Sequence, residues 1–242
     1  MRPDDRRTDE IRPLGFERGF TDLPAGSVLV KWGRNRLLCT VSVEPRLPPW
    51  LVGKGRGWAT GEYAMLPAST TTRKVRDGAR PKPDSRNVEI SRLIGRSVRA
   101  ALDLRAVGER TLWVDCDVLR ADGGTRTAAI SGAYVALHDA LRGLEKDLEL
   151  RRWPLTASVA AVSVGIVDGE PRLDLDYEED SAAEVDMNVV MTGDGRIIEI
   201  QGTGEQRPFT MEEHEALVAL AAKGAAEVTR IQTAALEEDA GD

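Results

Sequence analysis

The sequence predicts one domain of the α/β (α+β) class, and three observations carry that reading. Stretches with strand-like alternation and β-branched residues are interrupted by stretches with helical spacing, in the order strands, loop, helix, strand, helix, strands, helix. The chain has 242 residues, enough to bury a substantial core. Its 41% hydrophobic and 30% charged residues match an ordinary globular protein and exclude global disorder. Two related halves are compatible with this order, although no internal sequence repeat is visible.

Taken along the chain, strands are expected at residues 27–32, 36–43, 111–118, 157–167, 185–192 and 196–201. In the third of these, apolar residues fall mainly on one face, with Asp115 and Asp117 on the other. Asp168-Gly169 and Gly193-Asp194-Gly195 read as tight hairpin turns. Helical spacing of Ile90, Leu93, Ile94, Val98, Ala101 and Leu102 predicts a first helix after Asp84-Ser85-Arg86. A second helix is expected from about 125 to 144, opening directly after Gly123-Gly124. A third begins at Thr210-Met211-Glu212-Glu213, a capping-box pattern, with Leu217, Leu220, Ala221, Val228 and Ile231 on its apolar face. Gly224 shares that face and would allow close packing. Residues 48–85, rich in Gly, Pro, Thr and Arg, read as one long loop of a functional kind. The end of the chain, 237–242, is acidic and is expected to fray.

Composition bounds the function. No apolar run approaches the ~18 residues that cross a bilayer. Charges of both signs at the N-terminus, with no apolar stretch behind them, argue against a secretory signal. A cytoplasmic location follows as an expectation. Cys39 and Cys116 lie far apart inside apolar runs and read as buried thiols, neither a disulfide nor a metal site. The net charge is -7, but it is unevenly spread. Between Lys54 and Arg96 ten bases face four acids, whereas from Glu205 onward nine acids face three bases. A basic stretch in an acidic protein suits a polyanion, and it equally suits a solvated loop.

Three groups of residues could do chemistry. Asp122-Gly123-Gly124-Thr125-Arg126-Thr127 lies between a strand and a helix. Its glycines allow close backbone approach, the helix start offers unpaired N–H groups, and Arg126 adds a planar fork suited to phosphate. The same string also fits a glycine turn with a threonine cap and a surface arginine. Arg86, at the mouth of the first helix, would complete a two-arginine phosphate cradle if the fold brought it to Arg126. The third group is acidic: Asp174, Asp176, Glu178, Glu179, Asp180, Glu184 and Asp186. Asp180 and Asp186 would share a face in a continuous strand, unless Ser181-Ala182-Ala183 bends the chain. Two carboxylates beside a phosphate site suit Mg²⁺; acid runs also serve simply as solvated faces, and the apolar setting of Asp186 favours a site. Neither His138 nor His214 is placed for a triad.

At this point the strings resemble a known family. RPDDRRTDEIRPL, EYAMLPAST, SRNVEISRLIGRSVRA, DCDVLRADGGTRTAAISGAYVAL, LDLDYEEDSAAEVDMNVVMTGDGRIIEIQGTGE and PFTMEE resemble ribonuclease PH, from about residue 1 to 236. The resemblance implies a single domain over 1–236 made of two β-α-β-α halves, and a homohexameric ring built as a trimer of dimers. It implies a phosphate-dependent 3′–5′ exoribonuclease (a tRNA nucleotidyltransferase) that trims tRNA precursors, and rRNA as a further substrate, releasing nucleoside diphosphates. Arg86, Gly124, Thr125 and Arg126 match the residues that hold the attacking phosphate. Asp180 and Asp186 match the catalytic and Mg²⁺-binding acids, whose two roles sequence does not divide. Arg73, Lys74, Arg76 and Arg80 match a loop linked to tRNA binding. The chain departs from the family's usual QGTAEG at Gln201-Gly202-Thr203-Gly204-Glu205-Gln206, a loop expected to hold no site residue. Two rival functions stand beside this one: a catalytically silent RNA-binding ring subunit, and a hydrolytic Mg²⁺ nuclease releasing monophosphates.

Overall fold

The computed structural model describes residue 2, residues 4–146, residue 150 and residues 152–237. Its elements run β1 (Leu14–Arg18), β2 (Gly26–Trp32), β3 (Asn35–Glu44), β4 (Trp58–Met65), α1 (Ser85–Ala100), α2 (Leu104–Val107), β5 (Thr111–Arg120) and α3 (Thr125–Lys146). They continue with β6 (Val159–Val167), β7 (Glu170–Leu173), α4 (Tyr177–Ala182), β8 (Val185–Thr192), β9 (Ile197–Gly204) and α5 (Met211–Glu237). The architecture is α+β with two sheets. The first has strand order β1-β2-β3-β5-β4 and the second β7-β6-β8-β9. All pairings are antiparallel except β4 with β5.

Local sequence explains most element ends. Asp84 caps α1 by accepting from the Arg86 N–H, and α1 buries Ile90, Leu93, Ile94 and Val98 against β4. Each such side chain contributes on the order of 1.5–3 kcal/mol by leaving water. The capping box at Thr210 is present: Glu213 N–H donates to Thr210 Oγ1 and Thr210 N–H donates to the Glu213 carboxylate. Gly224 allows the close approach expected of it, since a Cβ there would sit 2.6 Å from Leu173 Cδ1. The small residues Ala128, Ala129, Gly132, Ala133 and Ala136 let α3 lie between the sheets, on β2 and β3 of one and β6 of the other. Strand β6, covered by α3 and α5, is buried at every position. One hydrophobic cluster runs through both sheets and all three long helices.

Three strands escape the sequence reading. Strand β4 lies inside the stretch read as one long loop, 48–85. With Ala59, Gly61 and Ala64 it lacks β-branched alternation, and its partner β5 lies some fifty residues further on. Strand β1 is the short edge of the first sheet, and β7 is only four residues long. Cys39 and Cys116 are both buried free thiols and sit opposite each other in the β3–β5 register. The acidic end beyond Glu237, where fraying was expected, lies outside the described residues. Among the described residues, no helix is long and apolar enough to cross a membrane.

Candidate active site

The site begins where β5 hands the chain to α3. Gly123 and Gly124 adopt φ of +71° and +68°, a left-handed pair that L side chains rarely adopt. A Cβ on Gly123 would stand 2.5 Å from the backbone carbon of Asp176, so the turn abuts the segment that leads into α4. The turn is pinned from behind. Asn35 Nδ2 donates to the Gly123 carbonyl at 2.6 Å, and the Asp122 N–H donates to Asn35 Oδ1 at 2.6 Å. Beyond the turn the first N–H groups of α3 have no intrahelical acceptor, which makes the helix start a place for an anion.

Each candidate side chain follows from this frame. Thr125 opens α3 as a buried residue, its Oγ1 hydrogen-bonded to Tyr63 Oη at 2.8 Å. Burial pushes the Tyr63 phenol up despite the Thr125 hydrogen bond and the nearby charges of Arg86 and Arg126. Arg126, one residue on, donates to Gln201 Oε1 at 3.0 Å and pairs with Glu89 Oε1 at 3.4 Å. Arg86 stands exposed in the first turn of α1.

The acids come from the second half. Asp176 caps α4 through a capping box with Glu179, and Asp180 follows on the same short helix. Asp186 lies on β8, paired with Gly165 of β6 and Thr203 of β9. The premise of a shared strand face therefore fails, because a helix carries one acid and a strand the other. The bend at 181–183 is what brings them together. Burial pushes the Asp186 carboxyl up to about 6; Asp180 and Glu205 add to this, while Arg126 and a hydrogen bond from Asn188 oppose it. Desolvation also raises Asp180, which Arg86 and Arg126 pull back down. Arg126 thus acts on both aspartates, and Arg86 on Asp180.

Most of the remaining acids have structural partners. Asp174 pairs with Arg12, Glu179 with Arg2 and Glu184 with Arg207. In the basic loop Arg73 and Arg76 are exposed and Lys74 half-buried. Arg80 differs from its neighbours, pairing with Asp84 at 3.2 Å and Asp77 at 3.9 Å, which braces the loop against the start of α1. Among the described residues no group of three or more His, Cys, Asp or Glu is arranged to hold a metal. The donor set offered to a cation is the Asp180–Asp186 pair, in which Asp186 Oδ1 is buried with no hydrogen-bond partner. That orphaned oxygen fits a hard cation completed by water and phosphate oxygens.

Comparison with known proteins gives the family of the fold. Residues 10–142 match the sequence profile of the 3′ exoribonuclease family, domain 1, and residues 157–224 match that of domain 2. The chain belongs to the ribonuclease PH family. Two solved structures share the ribonuclease PH fold. Rrp46 of rice (Oryza sativa) superposes with a TM-score of 0.77 at 17% identity, over 96% of this chain and 98% of that one. A chain of the Archaeoglobus fulgidus exosome with RNA bound to the active site gives 0.76 at 21% identity, over 95% and 91%.

Within this ribonuclease PH-family fold, three contributors were not singled out from sequence. Tyr63 comes from the strand read as loop. Gln201 and Glu205 lie in the stretch expected to be a loop without a site residue; that stretch is instead the end of β9 and the residues just after it, and Gln201 accepts from Arg126 while Glu205 acts on both aspartates. The departures from QGTAEG, at Gly204 and Gln206, flank Glu205. A groove of about 670 Å³ between α1 and β4 is lined by Trp58, Tyr63, Asn87, Arg92, Arg96 and Arg99 among others, but by neither aspartate.

Proposed function

We propose that this chain is a phosphorolytic 3′–5′ exoribonuclease that trims the 3′ ends of tRNA precursors, and of rRNA, with inorganic phosphate as co-substrate. What supports the reading is the left-handed glycine turn at the start of α3, with Arg126 one residue into that helix acting on both Asp180 and Asp186, Arg86 acting on Asp180, and a buried, unpartnered oxygen on Asp186.

A phosphate approaching a phosphodiester brings like charges together, so the site must neutralise both. Arg86, Arg126, Thr125 and the backbone at Gly124 would hold the attacking phosphate. Asp180 and Asp186 would hold Mg²⁺, which supplies charge stabilisation at the scissile group. A phosphate oxygen bonds to the terminal phosphorus, the bond to the 3′ oxygen breaks, and the proton of the attacking hydrogen phosphate ends on that oxygen. The products are a nucleoside diphosphate and an RNA one nucleotide shorter. Positioning and electrostatics suffice for such a transfer, in keeping with a site built around no Ser or Cys nucleophile. Because a phosphoanhydride replaces a phosphodiester, the reverse reaction should add nucleotides from diphosphates.

Arg73, Lys74 and Arg76 would receive the RNA backbone. Family membership and the exosome neighbour support ring-like assembly, read here as a homohexamer built as a trimer of dimers. A cytoplasmic setting, with free phosphate and RNA ends, suits the reaction.

The test is phosphate dependence on a tRNA carrying extra 3′ nucleotides, with Mg²⁺ present and products separated by charge. Diphosphates that appear only with added phosphate are expected. Monophosphates without phosphate would make the protein a hydrolase, and bound RNA with no product would make it a silent ring subunit.

A further inference from the structure

We propose that Arg12, acting through its buried pair with Asp174, is the positioning residue that sets the phosphate cradle against the acids of the second half. The inference rests on the phosphorolytic reading above. Both members are almost wholly enclosed, Arg12 at 3% exposure and Asp174 at 1%. The Arg12 guanidinium joins two distant segments, residues 122–123 and 174–175. It grips Asp174 through Nε to Oδ2 at 3.0 Å and Nη2 to Oδ1 at 2.6 Å. It also donates to the carbonyls of Asp122, Gly123 (3.3 Å) and Leu175 (3.2 Å). The first two belong to the glycine turn, and the third to the segment leading into the helix that carries Asp180.

The geometry explains why an arginine stands here. A planar fork can satisfy a carboxylate and several carbonyls in one plane, which a lysine ammonium cannot. By taking the Asp122 and Gly123 carbonyls from behind, it holds the turn against Leu175 and Asp176, where a Gly123 Cβ would already collide. Asp174 is itself held in a left-handed conformation, φ +54°. Its carboxylate accepts from the Arg12 backbone N–H at 2.6 Å and from Trp32 Nε1 at 2.9 Å, with Arg6 at 3.5 Å. A buried ion pair of this kind is a poor source of stability compared with apolar packing. Its role is accounted for by what it joins, since the phosphate turn comes from one half of the chain and the acids from the other.

Arg12→Lys keeps the charge and removes the fork. In the folded variant kcat for phosphorolysis should fall about 100-fold, the scale of a roughly 1 Å misplacement. The KM for phosphate should rise while the affinity for RNA is unchanged. A merely structural pair would lower the amount of active enzyme and leave the KM for phosphate alone. Asp174→Asn breaks the same pair from the other side and carries the test if Arg12→Lys does not fold. Wild-type kcat and KM in a folded variant, beside a phosphate-dependent wild type, overturn the inference. A wild type that forms no diphosphate overturns the underlying functional reading instead. Calorimetric titration with inorganic phosphate then decides this one, weaker binding in Arg12→Lys supporting it and equal binding overturning it.

Discussion

Replacing Asp186 with Asn should stabilise the protein while abolishing its activity. The carboxyl is raised from the usual 3.8 to about 6, chiefly by burial and then by Asp180. Two pKa units correspond to about 3 kcal/mol. The folded state holds its proton where the unfolded chain has lost it, so stability falls as pH rises from about 4 to about 6 and stays lower above. The neutral amide escapes that cost. With divalent cations removed by chelator, Asp186→Asn should match wild type near pH 4 and exceed it at pH 8 by up to about 3 kcal/mol. For a chain of this size that is roughly 6–12 °C in Tm. Thermal melts at the two pH values measure it. Added Mg²⁺ at pH 8 should raise the Tm of wild type and not of the variant. An Asn variant whose advantage does not grow with pH would refute the idea of a desolvated charge poised for a cation.

Other perturbations probe the rest of the site. Arg126→Ala should cut phosphorolysis by at least about 10²–10³-fold in a variant that still folds, the scale for losing one charge-stabilising donor; a variant of full activity would remove Arg126 from the cradle. Asp180→Asn should lose turnover and keep RNA binding in a mobility-shift assay, whereas lost binding would give Asp180 a structural role. Gly123→Ala must place a Cβ 2.5 Å from Asp176 at positive φ, and should cost about 2–5 kcal/mol in denaturant melts. Removing Arg73, Lys74 and Arg76 together should lower the salt slope of log affinity for single-stranded RNA by about 2. Arg80→Ala, which releases ion pairs to Asp77 and Asp84, should change that slope less.

How far the site could be read from sequence depended on how local its causes are. The start of α3 after two glycines and the capping box of α5 are set within three or four residues and appeared where expected; α1 begins at Ser85, inside the tripeptide expected to precede it, with Asp84 as its cap. The family resemblance, confirmed by the two matching profiles, brought Arg86, Arg126, Asp180 and Asp186 into view together. Strand β4 escaped because a parallel edge strand with Ala59, Gly61 and Ala64 in its middle is defined by its distant partner, not by its own pattern. Tyr63 was lost with it.

What the sequence determined alone is the class of the fold, its long helices and the residue types able to hold phosphate and a cation, because these follow from periodicity, caps and chemistry close in the chain. What tertiary structure decided is which acids are free. Asp174, Glu179 and Glu184 look like Asp180 and Asp186 in the sequence, yet each meets an arginine drawn from elsewhere in the chain: Arg12, Arg2 and Arg207. Asp186 alone of these five presents a buried oxygen with no partner among the described residues. The partner of an ion pair is chosen only when the chain folds back on itself, and that choice separates the acids that brace this protein from Asp186, whose buried oxygen it leaves unpartnered.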